Sequence, residues 1–288
     1  MNGRVGLLYT YADLTKAALR RSDYAERLGI PVVWDSGAWS VHSRGAVIDP
    51  VRHAAWIADR QTAGSTARYI GLDVIGDSAR TLANHRAQAQ AGARAEATIH
   101  YGADLAILDS IAHTTPWLNV GGVAGMTKGN APIRARAFAD ALTASAHARG
   151  LYVHGLGATH PTLTKRVPFD GIDSTFWMSG ARYGLLPLFD PGGGDWRRLH
   201  YRTRNRTTRT RGWRAMHENG RWLRDTYGIT PAELDCAPDA RVRDLSITSH
   251  RKYAAWLAER HARPVIVYLA GATGIPEAAL DHIAADQS

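Results

Sequence analysis

Short apolar runs alternate with helix-like segments along the first 177 residues of this chain. The apolar runs have the length of buried strands, and the segments between them repeat apolar residues with the spacing of an amphipathic helix. The predicted strands are residues 5–9, 30–34, 67–72, 97–100, 117–120, 151–154 and 171–173. The predicted helices are residues 13–28, 50–63, 78–91, 104–112, 132–149 and 162–166. This alternation predicts an α/β fold with a parallel sheet, and we favour a (β/α)8 TIM-like barrel over an open doubly wound sheet.

The alternation stops at Met178, and residues 178–243 follow no strand-helix rhythm. A segment of this length is too long for an ordinary barrel loop, so we interpret it as a functional insertion after the seventh strand. Beyond it, residues 245–248 are the predicted eighth strand and 250–261 its helix. Residues 265–269 are predicted to form an additional strand before a C-terminal helix. The length of 288 residues suits a single domain, residues 1–288, that carries this insertion.

The chain is strongly basic, with a formal charge of +9 and a pI of about 9.9. Codon bias towards arginine could produce this charge, but the arginines are concentrated locally. Residues 197–214 contain eight arginines and no acid. We expect these arginines to bind phosphates of a nucleic acid, with Tyr201 and Trp213 stacking on bases. A solvated loop and an oligomer contact are the alternatives. The eight are Arg197, Arg198, Arg202, Arg204, Arg206, Arg209, Arg211 and Arg214.

Several classes of protein are disfavoured by the composition. The sequence has no apolar run of about 18 residues and no secretory leader, so we expect a cytoplasmic protein without membrane contact, in the host cytoplasm if the chain comes from a phage. Cys236 is the single cysteine, which excludes an internal disulfide and a zinc site built on several thiolates. The histidines lack metal-binding spacing. We therefore expect no catalytic metal and no cofactor.

Three carboxylates follow apolar runs: Asp35, Asp73 and Asp173. The carboxyl ends of barrel strands carry the catalytic groups in this architecture, so we predict that the three acids form one site. For Asp35 and Asp173 the alternative is a helix cap or a turn, since Asp-Ser-Gly is favourable turn chemistry. For Asp73 it is a structural ion pair with an arginine.

Five motifs resemble, in the same order, those of the tRNA-guanine transglycosylase superfamily. They are DSGAW at 35–39, GLDVIG at 71–76, NVGGVAG at 119–125, VHGLG at 153–157 and GIDSTFW at 171–177. Members of that superfamily are barrels in which an enzyme-bound aspartate replaces guanine in a nucleic acid by a 7-deazaguanine. Single motifs of this kind are common, whereas five in order with barrel spacing are much more specific.

The resemblance implies a role for each acid. Asp173 would be the nucleophile and Asp35 the general acid/base, while Asp73 would accept hydrogen bonds from the guanine edge. A site built to pair those donors leaves its own buried acid unpaired with any other base. His100 would take the place of a glutamine that reaches the base oxygen, and His154 that of an apolar residue at the pocket wall. The further residues implied at the base are Gly121, Gly122 and Val123, through their backbone.

The sequence also departs from the tRNA enzymes, which hold a structural zinc with three cysteines and a histidine. Asp173 is followed by Ser-Thr-Phe-Trp, which is more similar to the zinc-free DNA-guanine transglycosylases. The expected partners are therefore DNA and a free 7-deazaguanine, such as 7-cyano-7-deazaguanine, with tRNA as the alternative polymer. A zinc-less tRNA enzyme, a glycoside hydrolase using Asp35 and Asp173, and a non-catalytic DNA-binding barrel are the competing hypotheses. The oligomeric state is not predicted.

Overall fold

The computed structural model describes residues 3–45, 47–123, 131–158, 160–200, 216–285 and 287. The strands are β1 Arg4–Thr10, β2 Val32–Asp35, β3 Arg68–Tyr69, β4 Ala97–His100, β5 Trp117–Gly121, β6 Tyr152–Gly155, β7 Gly171–Ser174, β8 Leu185–Asp190, β9 Asp195–His200 and β10 Ile266–Ala270. The helices are α1 Lys16–Arg27, α2 Ala38–Arg44, α3 Pro50–Thr62, α4 Ser78–Gln90, α5 Leu108–Ile111, α6 Ala131–His147, α7 Pro161–Thr164, α8 Ser179–Tyr183, α9 Gly220–Tyr227, α10 Pro231–Asp235, α11 Asp239–His261 and α12 Glu277–Ala285.

Eight of the strands form one curled parallel sheet in the order β3-β2-β1-β10-β7-β6-β5-β4. Its two edge strands, β3 and β4, meet through a single parallel bridge between Ile70 and Glu96. There, the Glu96 amide donates to the Tyr69 carbonyl at 2.7 Å, and the Gly71 amide donates to the Glu96 carbonyl at 2.9 Å. The α/β class and the parallel sheet are as the sequence predicts.

The helices begin where the sequence carries capping residues. The Asp49 carboxylate accepts from the amides of Val51 and Arg52, and Pro50 occupies the first helical position of α3. Thr15 and Asp77 cap α1 and α4 in the same way. These local signals explain why α1, α3 and α4 lie close to their predicted bounds, whereas α2 was not predicted.

The predicted eighth strand is wrong. Residues 245–248 lie inside the 23-residue helix α11, and the eighth strand of the sheet is β10, which we predicted to be an additional one. The segment Leu-Ser-Ile-Thr resembles a strand when viewed alone. Its neighbours show the helical period, because the buried residues of α11 are Val242, Leu245, Ser246, Ser249, His250, Tyr253, Ala254, Leu257 and Ala258.

The insertion contains ordered elements that the sequence did not predict. Strands β8 and β9 form an antiparallel hairpin around residues 191–194, and α8, α9 and α10 accompany it. The insertion has an apolar core of its own, formed by Leu186, Leu188, Leu199, Met216, Leu223, Tyr227, Ile229, Leu234, Ala237, Val242 and Leu245.

Apolar side chains fill both faces of the curled sheet. The outer face packs against the helices in two clusters, one around β4 to β7 and one around β1 to β3. The inner face holds a smaller cluster of Leu8, Val33, Ile70, Tyr268 and Ala270. None of the helices in the described ranges is both long and apolar enough to cross a membrane.

Candidate active site

The three predicted acids lie at one edge of the sheet. Asp35 is the last residue of β2, Asp173 lies near the end of β7, and Asp73 follows β3 after a short loop. Because the strands are parallel, their carboxyl ends meet at the same edge. The negative charges of Asp73 and Asp173 both act on the Asp35 carboxyl, so the three groups form one electrostatic cluster.

Asp35 is partly buried in a tight turn. Its Oδ2 accepts from the Gly37 amide at 3.0 Å, and Gly37 has a φ of 95°, a left-handed conformation that glycine adopts without strain. Burial, followed by the neighbouring charges of Asp73 and Asp173, raises the pKa of Asp35 from 3.8 to about 7. A carboxyl with this pKa can give and take a proton near neutral pH.

Asp73 is buried and already contacted on both oxygens. Ser36 Oγ donates to Oδ1 at 3.2 Å, and His100 Nε2 lies 3.0 Å from Oδ2. The imidazole of His100, which we predicted to reach the base, therefore lies against this carboxylate. Asp73, His100 and Ser36 together form a polar wall beside Asp35.

The glycines after β5 line the same region. A side chain at Gly121 would place its Cβ 2.7 Å from His100 Nδ1, so the absence of a side chain keeps the space beside the imidazole open. Gly122 has a φ of 75° and turns the chain away from the strand. The side chain of Val123 is buried in the apolar core, which leaves only its backbone for a base. Residues 124 and 125, the last two of the NVGGVAG motif, lie outside the described residues.

Asp173 has a single oxygen in contact with two nitrogens of the protein. Its Oδ1 accepts from the Gly157 amide at 2.8 Å and lies 3.0 Å from His154 Nε2. His154 is fully buried, whereas the Asp173 side chain keeps 14% of its surface exposed. The structure therefore places His154, predicted at the pocket wall, in contact with the candidate nucleophile Asp173.

A buried ion pair, missed in the sequence, lies behind His154. Arg68 Nη1 is 3.4 Å from His154 Nδ1, and the guanidinium binds both carboxylate oxygens of Glu96 at 2.6 Å. Tyr268 accepts a hydrogen bond from Arg68 at 3.1 Å and stacks on His154. The sequence held a signal for each residue, because Arg68 is a charged residue inside the predicted strand 67–72 and Glu96 directly precedes the predicted strand 97–100.

Arg197 and Arg198 are the two members of the arginine run that the structure describes. Arg197 binds Asp190 at 2.6 and 2.9 Å, contacts Asn219, and stacks on Trp222. Arg198 instead lies over the ring of Phe176, three residues after Asp173. The hairpin therefore packs against the segment that follows the candidate nucleophile.

The other six arginines of the run lie outside the described residues, as do the two aromatic residues predicted to stack on bases. The arginines are Arg202, Arg204, Arg206, Arg209, Arg211 and Arg214; the aromatics are Tyr201 and Trp213. Their phosphate and base contacts stay predictions.

An exposed aromatic residue next to the acids was also missed. Trp39 lies in the first turn of α2, four residues after Asp35, and 69% of its surface is exposed. A tryptophan two residues after the Asp-Ser-Gly turn could have been singled out, because a large exposed ring close in sequence to a polar site is suited to stacking on a base.

Comparison of the sequence with models of known protein families finds no match, and comparison with curated proteins finds none either. Among the described residues, no group of three or more histidines, cysteines or carboxylates is placed to hold a metal ion. The chemistry of the site follows from its own side chains: the Asp35 carboxyl with its raised pKa, the Asp173 carboxylate with one oxygen held by its neighbours, and the buried Asp73 in contact with His100.

Proposed function

We propose that the protein is a guanine transglycosylase that exchanges guanine in DNA for a 7-deazaguanine through a covalent aspartyl intermediate. The observation that carries this proposal is the contrast between two carboxyls at one sheet edge. Asp35 has its pKa raised to about 7, and Asp173 Oδ1 is contacted by the Gly157 amide and by His154 Nε2. Exchange at a sugar carbon requires both a proton carrier and an oriented nucleophile.

The first displacement removes guanine. Asp173 Oδ2 forms a bond to C1′, the C1′–N9 bond breaks, and its electron pair goes to N9, which takes the proton of Asp35. The product is a glycosyl ester on Asp173 and an uncharged guanine. The pKa of Asp35 lets a large fraction of the enzyme carry that proton at neutral pH.

The second displacement inserts the new base. Its ring N–H gives the proton back to Asp35, the nitrogen attacks C1′, and the ester bond breaks with its electron pair returning to the Asp173 carboxylate. Two displacements restore the original configuration at C1′, as in retaining glycosidases. Asp35 and Asp173 end in their starting states, so no cofactor is consumed.

The polar wall supports recognition of guanine. Asp73 is buried beside Asp35, and the purine N1–H and 2-amino donors match a carboxylate acceptor. Ser36 and His100 now contact that carboxylate and would share or yield their contacts when the base binds.

The sheet and the insertion support a nucleic-acid substrate. We infer a TIM-like barrel from the order of the eight strands and from the Ile70–Glu96 bridge that joins the two edge strands. In that architecture the β8–β9 hairpin lies on the catalytic face. Arg198, over Phe176, is positioned to reach a phosphate close to the site, whereas Arg197 is already bound by Asp190.

The proposal is tested by measuring whether a 7-deazaguanine is incorporated into DNA. The purified protein is incubated with guanine-containing duplex DNA, and separately with tRNA, together with 7-cyano-7-deazaguanine, and the nucleosides are identified by mass. We expect incorporation into DNA and none with Asp173→Asn, which conserves size and removes the nucleophile. Incorporation into tRNA alone would make the protein a zinc-less tRNA enzyme. Binding without incorporation into either polymer would refute the proposal.

A further inference from the structure

A charged pair is buried behind Asp173, where it does not touch the proposed reacting atoms. Arg68 and Glu96 form two parallel hydrogen bonds of 2.6 Å, and Asn119 Nδ2 donates to Glu96 at 3.2 Å. The guanidinium lies 3.5 Å from the centre of the Trp117 ring. Although burial disfavours the guanidinium, Glu96 and Tyr268 raise the pKa of Arg68 above its ordinary value, so it stays charged. The cost of burying two charges is offset only when their geometry is good and further hydrogen bonds satisfy them, as the Asn119 and Tyr268 contacts do here.

Arg68 determines which nitrogen of His154 carries the proton. A guanidinium can only donate, so His154 Nδ1, 3.4 Å from Arg68 Nη1, has to be the accepting nitrogen. Burial and the charge of Arg68 lower the pKa of His154, although Asp173 and Glu96 oppose that shift, and the ring is therefore neutral at pH 7. The proton of a neutral ring that accepts at Nδ1 is on Nε2. Nε2 faces Asp173 Oδ1 at 3.0 Å.

We infer that His154 is a positioning residue that donates from Nε2 to Asp173 Oδ1, in a tautomer fixed by the Arg68–Glu96 pair, and thereby presents Oδ2 to the sugar. This inference rests on the proposed function, because it gives Oδ2 the task of attacking C1′. Tyr268 stacks on the imidazole with ring centres 5.2 Å apart and restricts its rotation. Both hydrogen bonds that the carboxylate accepts from described residues end on Oδ1.

The N–H groups of His154 and Gly157 also act when the glycosyl ester on Asp173 is cleaved. In the glycosyl ester, Oδ2 is bonded to C1′ and Oδ1 is the carbonyl oxygen. When the C1′–Oδ2 bond breaks, negative charge returns to the carboxylate, and two N–H groups already face Oδ1. Hydrogen bonds to a charged acceptor are stronger than those to a neutral one. His154 and Gly157 therefore favour the free carboxylate over the ester and keep the covalent adduct scarce.

The first experiment observes the tautomer in the resting protein. The ring nitrogens of ¹⁵N-histidine-labelled protein are recorded by NMR at pH 7, and the His154 signals are assigned by their loss in His154→Gln. We expect a neutral ring with its proton on Nε2. A proton on Nδ1, or on both nitrogens, would overturn the inference. This measurement needs no substrate, so it decides the tautomer even if the proposed exchange does not occur.

The second experiment measures the covalent adduct with guanine-containing DNA on denaturing gels. In His154→Leu, which has no donor, we expect the ratio of adduct to free enzyme to rise about tenfold, the effect of one hydrogen bond to a charged group. His154→Gln, whose amide can donate, should lie close to the wild type. A merely structural role would lower activity without raising this ratio. Equal ratios in the Leu variant and the wild type would overturn the inference, whereas no adduct in either protein would point to failure of the proposed function.

Discussion

Asp35→Asn should make the protein more stable at pH 8 than the wild type, and the advantage should shrink at pH 5. The substitution keeps an oxygen that can accept from the Gly37 amide, and it removes a carboxyl that ionises against burial and two neighbouring negative charges. The pKa of Asp35 is raised in the folded state, so the folded protein holds this proton more tightly than the unfolded chain. Wild-type stability therefore falls as pH rises from about 4 to about 7.

The size of the effect follows from the two pKa values. A rise from 3.8 to about 7 gives a difference between pH 5 and pH 8 of about 2.6 kcal/mol by linkage. Asp35 is partly exposed, and solvent screening reduces an effect of this kind, so we expect roughly half of it, about 1.3 kcal/mol. Urea unfolding followed by tryptophan fluorescence resolves a difference of this size.

Two further variants complete the experiment. Asp109→Asn alters an exposed carboxylate at the surface and should change stability equally at both pH values. Asp173→Asn removes one of the charges that raise the pKa of Asp35, so it should flatten the pH dependence. An Asp35→Asn effect that is the same at pH 5 and pH 8, or larger at pH 5, would refute the electrostatic reasoning.

Four other substitutions test the site and its surroundings. Gly121→Ala places a methyl group against His100 and should lower nucleoside exchange about tenfold, while Gly274→Ala, with open space around it, should not. Arg263→Ala removes a cation 2.7 Å from a buried carboxylate at the opposite sheet edge, so urea unfolding should show a loss of about 3 kcal/mol with exchange per folded molecule unchanged. Trp39→Ala should leave the urea midpoint unchanged and raise the KM for nucleic acid about tenfold; an unchanged KM would exclude stacking. Arg198→Gln should lower the slope of log affinity against log salt by about 1 in filter binding, and an unchanged slope would exclude its phosphate contact.

Most of the fold could be predicted from two features of the sequence, the short apolar runs of the strands and the residues that cap the helices. Both features depend on local residue types. The error at residues 245–248 has a different origin. Four residues of mixed apolar and β-branched type fit either a strand or a helix. The helix forms here because the buried side chains of α11, such as Leu245, pack in the apolar core of the insertion. The ordered insertion was missed for a related reason, since in the described part of the chain its two strands pair with each other, and β9 carries Asp195, Arg197 and Arg198 in place of an apolar strand pattern.

The acids of the candidate site could be predicted, whereas their supporting contacts could not. Asp35, Asp73 and Asp173 follow apolar runs, so the parallel sheet was enough to bring them together. The contact between His154 and Asp173 depends on facing side chains of two neighbouring strands, a register that no local pattern specifies. The Arg68–Glu96 pair is likewise defined only once the two edge strands meet.

Helix α11 belongs to two cores at once. Its first turns carry Val242 and Leu245 of the insertion core, and its later turns carry Tyr253 and Leu257 of the core beneath the sheet. With 23 residues it is a rod of about 35 Å. A force applied to the insertion core is therefore transmitted along this helix to the core that packs against the sheet.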